Sequence, residues 1–328
     1  MGVVSVYQNP LLSVIIPTHN RPQYLPQAVK SALQVTPDGN VEVIVVPNGG
    51  DETWQESLAD LLHDSRIIVS PVEKGHANVA RNHGLRLAKG KYVRFLDDDD
   101  FFYPEVASEQ LKKLIELDAD ISCGQITKTD EFGNILEIAQ QLDTDDFIAA
   151  ATGRGHSTAT CALVIKKSVV NNCVWDENID KNQDVYWAWE ICKKQELKSI
   201  KFRKPVAAWV QHSNGFRVSK GHHRGIIAEE MTLHLLALLN VLIKRNTMTE
   251  KRANSIADTL WNCIHDGIMF KPIYWLNIYF VARKLSKNRH PNTKIYNFYF
   301  VRKFPLVFEV LLIPWRWLKI LFGERYLS

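Results

Sequence analysis

Leu12-Ser13-Val14-Ile15-Ile16 opens a series of short apolar runs that decides the fold. Val41 to Val46, Arg66 to Val69 and Tyr92 to Leu96 follow it, and helix-like segments lie between them at Pro22 to Leu33, Thr53 to Leu62 and His76 to Ala88. Strands apolar on both faces, alternating with helical patterns, predict a parallel sheet covered on two sides. The expected class is α/β, doubly wound through residue 100. After Pro104 the pattern changes to a helix over 105–117, a strand over 121–127, a turn at Glu131-Phe132-Gly133-Asn134 and a further strand. Ala162 to Ile165 and Val206 to Val210 read as strands, and Val185 to Lys194, Gly225 to Lys244 and Thr249 to Met269 as helices.

Charge divides the chain more sharply than hydropathy does. Lys271 to Ser328 holds eleven Lys and Arg against two acids, a charge of +9, while the rest of the chain sums to −5. The same tail carries fourteen of the 33 Phe, Trp and Tyr residues. Aromatics interleaved with basic residues, as in Ile313-Pro314-Trp315-Arg316-Trp317-Leu318, suit a helix in the headgroup plane of an anionic bilayer. The alternative is a helical subdomain that packs its aromatics on the core, and nucleic acid is not the expected partner. The compositional shift predicts one domain over 1–220 and a helical, membrane-associating C-terminal region over 221–328. Five cysteines without a Cys-x-x-Cys pair argue against a disulfide framework or structural zinc and fit a reducing compartment. Met1 to Pro10 lacks the basic and apolar regions of a signal peptide, and no run of 18 uncharged apolar residues predicts a conventional spanning helix.

Phe95-Leu96-Asp97-Asp98-Asp99-Asp100 places four carboxylates directly after an apolar strand. In open α/β sheets the ligand crevice lies beyond the carboxyl ends of the strands, so these acids stand where a site is expected. Adjacent carboxylates repel one another unless a cation sits among them, and a hard ion with oxygen ligands, Mg²⁺ or Mn²⁺, fits that need. A solvated acidic turn ahead of the helix after Pro104 is the other reading.

These runs together resemble the bacterial family 2 glycosyltransferases of the GT-A fold. Ser13-Val14-Ile15-Ile16-Pro17-Thr18-His19-Asn20-Arg21 is similar to the family's opening strand and nucleotide loop. Ala80-Arg81-Asn82-His83-Gly84 resembles its Ala-Arg-Asn-x-Gly helix, and Gly90-Lys91-Tyr92 leading to Leu96-Asp97-Asp98-Asp99-Asp100 its Asp-x-Asp segment. Trp175-Asp176-Glu177 with Asn182-Gln183-Asp184 resembles its Phe-Asp-Glu and later Glu-Asp segment, Gln183 standing for the usual Glu. The implied fold is a Rossmann-like, mostly parallel sheet flanked by helices, with the basic, aromatic helical extension attached.

The resemblance implies a metal-dependent, inverting transfer of a sugar from a nucleoside-diphosphate donor to an acceptor hydroxyl. Pro17, Thr18, Asn20, Asn48, Arg81, Asp97 and Asp98 are then expected at the donor, Asp99, Asp97 and His212 at the metal, and Asp184 as the base. The loop Val46-Pro47-Asn48-Gly49-Gly50-Asp51 departs from the family's paired acids, although an Asn48 amide oxygen still accepts from a pyrimidine N–H. A plain Asn-Gly-Gly turn, an Arg81 ion pair with one of the Asp97 to Asp100 carboxylates, and an Asp184 helix cap are the corresponding structural readings. His156 and Ser157 are weaker candidates for an acceptor cleft. The expected acceptor is a lipid-linked glycan at the inner face of the cell membrane, in surface polysaccharide or lipopolysaccharide assembly. Two rivals remain. A sugar-nucleotide nucleotidyltransferase needs a Gly-rich loop with Lys that Pro17-Thr18-His19-Asn20 does not supply, and an inactive scaffold is hinted at by Pro47 and Gln183 alone.

Overall fold

The computed structural model describes residues 10–36, 38–212 and 224–321. The chain divides into two compact units, one of residues 1–147 and 155–215, the other of 148–154 and 216–328. The boundary expected at 220–221 falls outside the described residues.

The first unit alternates as its apolar runs require: β1 Leu12–Thr18, α1 Leu25–Ala32, β2 Val41–Pro47, α2 Trp54–Ser57, β3 Ile67–Val69, α3 Ala77–Leu87 and β4 Tyr92–Phe95. Every residue of β1, β2 and β4 is buried, which is the condition of a parallel strand covered on both faces. β1 is central, with Ile15 opposite Ile44 of β2 on one side and Phe95 of β4 on the other. Helix α2 spans four residues rather than the ten expected, and none of its side chains is buried to hold a longer one.

β5 Phe101–Phe102, α4 Pro104–Glu116, β6 Ile121–Asp130 and β7 Ile135–Ile138 come next. After α5 Phe147–Thr152, which carries the chain into the second unit, follow β8 Leu163–Lys166, α6 Lys167–Val170, α7 Gln183–Lys194 and β9 Ser199–Gln211. The described strands form one sheet in the order β3-β2-β1-β4-β8-β6-β9-β5, with β7 on β6. Strands β1 to β4, β6 and β9 run one way and β5, β7 and β8 the other, so the sheet is mostly parallel.

Two glycines set how closely the layers approach. A Cβ on Gly84 of α3 would stand 2.4 Å from Ile15 Cγ2, so this helix lies directly on the central strand. A Cβ on Gly90 would stand 2.5 Å from the Ser13 nitrogen, where buried Glu42 accepts from Ser13 Oγ (2.6 Å) and the Lys89 N–H (2.6 Å). The turn that feeds β4 is therefore fixed by side chains of β1 and β2.

The second unit is helical: α8 Arg224–Lys244, α9 Glu250–Gly267, α10 Pro272–Leu285, α11 Tyr299–Lys303, α12 Pro305–Leu311 and α13 Ile313–Leu321. Thr249 caps α9 by accepting from the Arg252 N–H, and a Cβ on Gly267 would fall 2.1 Å from the buried Trp275 ring. Helix α8 holds no run of 18 uncharged residues, as expected. Although charges interrupt its apolar run, its 21 residues are long and apolar enough, at mean hydropathy 1.8, to cross a membrane by length and composition. One stripe of it is buried, including Ala228, Leu235, Leu238 and Leu242, while Ile226, Leu233 and Ile243 are exposed.

Candidate active site

The four carboxylates lie on the turn that joins β4 to β5, closed by the Asp100 N–H donating to the Asp97 carbonyl at 3.1 Å. The turn sits at the carboxyl end of β4, and β5 pairs antiparallel with β9, Phe101 opposite Ala208. That pairing brings the end of β9 back over the acids. The Val210 N–H donates to Asp100 Oδ1 (3.0 Å), and His212 Nε2 lies 3.1 Å from Asp99 Oδ2. Asp100 is buried, and burial followed by the Asp99 and Asp97 charges pushes its carboxyl well above the usual range.

Two arginines supply the counter-charge that the sequence demanded. Arg81 Nη2 donates to Asp97 Oδ1 (2.7 Å), and Arg21 Nη1 donates to Asp99 Oδ2 (2.6 Å) and Asp98 Oδ1 (3.2 Å). Asp98 is buried, and burial raises its carboxyl to about 7 against the opposing pull of Arg21. The structure thus joins Asp99 with His212 and sets Asp97 on the Arg81 side. Arg21 is the group that sequence reasoning passed over, although it is the last residue of the quoted nucleotide loop.

Helix α3 fastens the second constellation to the first. Asn82 holds Trp175 by both backbone groups, donating to its carbonyl (2.9 Å) and accepting from its N–H (2.8 Å). Asn78 Nδ2 donates to the Asp176 carbonyl (2.6 Å), Lys74 pairs with Glu177 (3.2 Å), and His76 lies 3.2 Å from Asp180. The Trp175 ring stacks on Trp187 of α7 at 4.3 Å, and the Arg81 guanidinium lies 4.8 Å from the Trp175 ring centre. Arg81 Nη1 also donates to Gln183 Oε1 (2.8 Å), so the amide in the place of the usual Glu keeps the contact without the charge.

Asp184 stands in the first turn of α7, where Asn182 rather than Asp184 occupies the cap position, at a left-handed φ of 53°. Its carboxylate accepts from Thr158 Oγ1 (3.0 Å), and burial raises its pKa above the ordinary value, with Thr158 opposing the rise. The Ser157 hydroxyl, next in sequence to Thr158, is buried with no hydrogen-bond partner among the described residues. His156 instead stacks edge-on against Trp209 at 5.1 Å.

The loops after β1 and β2 close the other side. Asn48 Nδ2 donates to the Thr18 carbonyl (2.8 Å), leaving the amide oxygen as its remaining acceptor, and His19 Nδ1 lies 2.7 Å from the Asn48 carbonyl. The Asn20 N–H donates to Asp51 Oδ2 (2.9 Å), and Asn20 adopts a left-handed φ of 53°. Pro17, next to last in β1, lies opposite Val46. Asp51, a second residue missed in the sequence, is recognisable only once folded, by the loop it ties down.

Residues 13–171 match the sequence profile of glycosyl transferase family 2. Those residues form a domain of that family. The chain is 28% identical over 201 residues to an uncharacterised glycosyltransferase of Methanocaldococcus jannaschii, covering 60% of this chain and 69% of that one. It is 26% identical over 255 residues to glycosyltransferase GlyG of Streptococcus pneumoniae, covering 76% and 73%. The fold is similar to crystal structures of S. aureus TarS 1–349. In complex with UDP-GlcNAc, TarS aligns at TM-score 0.61 and 17% identity, covering 84% of this chain and 81% of that one. In complex with UDP it aligns at 0.61 and 16%, covering 92% and 87%. The GT-A architecture that the resemblance implied is thereby shown.

Whether this glycosyltransferase's residues fit a divalent ion is decided by their donor set. Mg²⁺ is commonly held by one or two carboxylates plus substrate phosphates rather than by an all-protein cage. Among the described residues no three His, Cys, Asp or Glu side chains are gathered as a ligand group. Asp99 and His212 form a two-donor edge, and His212 Nδ1 is buried with no hydrogen-bond partner among the described residues. An ion shared with a diphosphate needs no more from the protein, so the residues fit.

Proposed function

We propose that this glycosyltransferase moves a sugar, with inversion, from a nucleoside-diphosphate sugar to an acceptor hydroxyl. The observation that carries the reading is the convergence of three loops, after β1, β2 and β4, at one end of the sheet, with Arg81 linking the acid turn to the segment that bears Asp184. Arg81 is suited to a diphosphate by its planar fork of donors, and Thr18, Asn20 and Asn48 to the nucleoside, with Pro17 shaping their loop. Asp97 and Asp98 line the donor side. Asp99, with His212 and with Asp97 adjoining, would hold Mg²⁺ or Mn²⁺, which neutralises charge on the departing diphosphate. Asp184 takes the acceptor proton as the acceptor oxygen bonds to the sugar C1, and the C1–O bond to the diphosphate breaks. Attack from the face opposite the leaving group inverts C1. TarS was crystallised with UDP-GlcNAc and with UDP, so uridine diphosphate sugars are the first donors to test.

The acceptor is proposed to be a lipid-linked glycan, and the second unit to rest on the inner face of the cell membrane. Its support is the exposure of Phe280, Phe300, Trp315 and Trp317 in the stretch that carries the +9 charge.

The test is hydrolysis of a panel of nucleotide sugars by the full chain, with Mn²⁺ and with EDTA. Turnover with Mn²⁺ that Asp99→Ala abolishes is the expected result. Full activity in EDTA would sink the metal assignment, and donor binding without turnover on any acceptor would favour a scaffold.

A further inference from the structure

The Asp99 carboxylate proposed above for the metal already has a cation on it. Arg21 Nη1 is 2.6 Å from Asp99 Oδ2, the same oxygen that His212 Nε2 approaches at 3.1 Å, and 3.2 Å from Asp98 Oδ1. A guanidinium and a divalent ion brought against one carboxylate oppose each other, because their mutual repulsion acts at short range in a partly desolvated turn.

Arg21 is also placed to leave. It lies in the loop between β1 and α1, its side chain is 38% exposed, and its hydrogen bonds to described groups all go through Nη1 to these two acids. Arg81 differs on each point. Its side chain is 7% exposed, and it is held by Asn78, Gln183 and Asp97 and covered by Trp175. One arginine is built into the site and the other rests on it.

We infer that Arg21 is a resident counter-cation for Asp98 and Asp99 in the donor-free protein and gives up Asp99 when a divalent ion enters with the donor. The released guanidinium then pairs with the diphosphate, the nearest new anion. Donor and ion become coupled, since ion entry alone must displace Arg21 into water, whereas entry with the diphosphate gives it a partner. This inference rests on the metal reading above, and its test separates the two.

Mn²⁺ binding to the full chain is measured by electron paramagnetic resonance, with and without UDP, for the native protein, Arg21→Ala, Arg21→Gln, Arg21→Lys and Asp99→Ala. Without UDP, Arg21→Ala and Arg21→Gln are expected to bind Mn²⁺ more tightly than the native protein, on the order of tenfold for one neighbouring charge. UDP should strengthen Mn²⁺ binding to the native protein and to Arg21→Lys, and much less to the two neutral variants. A purely structural role for Arg21 would weaken binding in all states. Equal or weaker Mn²⁺ binding by both neutral variants without UDP overturns the exchange while leaving the metal reading standing, provided Asp99→Ala loses the ion. Absence of Mn²⁺ binding by the native protein even with UDP overturns both.

Discussion

Asp184 illustrates how one residue's surroundings set its chemistry. Burial raises its pKa above the ordinary 3.8, while the Thr158 hydroxyl, the Val185 N–H and the Arg81 charge oppose the rise. A base must be ionised to work, so activity is lost as pH falls through its pKa, and a raised pKa moves that acid limb upward from the ordinary carboxylate position. Asp184→Asn is expected to lower kcat by on the order of 10²-fold or more while leaving donor affinity unchanged, because only proton removal is lost. Isothermal titration with UDP and the pH profile of kcat/KM check both halves. A parallel loss of donor binding would make Asp184 a structural residue of α7. At this scale much of the candidate site was legible. Asp97 to Asp100, Arg81 and Asp184 lie in motifs whose spacing survives in the chain, and Arg81 proved to pair with Asp97 as its structural reading anticipated. Arg21 was not legible, since nothing in one sequence says which arginine of a loop will fold across acids 77 and 78 positions away.

Helix α3 is the element on which the site is hung, because it meets the sheet on one side and holds the segment from Trp175 to Gln183 on the other. Its closeness to β1 depends on Gly84, where a Cβ would meet Ile15 Cγ2 at 2.4 Å, far inside contact. Gly84→Ala should gain helix propensity yet lose more to overpacking, for a net destabilisation of roughly 1–3 kcal/mol. Denaturant midpoints of the native and variant proteins measure it, and an unchanged or raised midpoint would show that the helix can move off the strand without cost. The elements that periodicity revealed are those buried on both faces. β1, β2 and β4 read as apolar runs because nothing polar is tolerated there. β9 was seen only over Val206 to Val210, since Arg203 and Lys204 in its first half are exposed and interrupt the pattern of a strand that spans Ser199–Gln211. The two residues of β5 are too few to show any period, yet their pairing with β9 is what carries His212 to Asp99.

Across the whole molecule, the sequence offered two fates for the basic, aromatic tail, and the second unit shows residues that take each. In α13, Arg316 is 1% exposed and pairs at 2.7 Å with Glu309, which is 0% exposed and also takes hydrogen bonds from Tyr296 (2.6 Å) and His265 (2.9 Å). Its neighbours Trp315, Trp317 and Leu318 are 52%, 44% and 50% exposed. The helix thus turns its arginine inward and its indoles outward, the reverse of a helix whose apolar face is spent on a core. Phe322, further along the same tail, lies outside the described residues. A surface of this kind on an anionic bilayer has two separable contributions. Each basic residue near the surface adds about 1 kcal/mol, and that part fades as salt shortens the Debye length. Insertion of the indoles and Leu318 adds a hydrophobic part that salt does not remove. Co-sedimentation of the full chain with anionic vesicles should therefore fall, but not vanish, at high salt, and should be weak with neutral vesicles. Replacing Trp315, Trp317 and Leu318 together by Ser should abolish the salt-resistant fraction while leaving the thermal midpoint nearly unchanged, since all three side chains are about half exposed. A large drop in that midpoint, or sedimentation equal to that of the native protein, would mean that these residues serve packing and that the acceptor need not be held at a membrane.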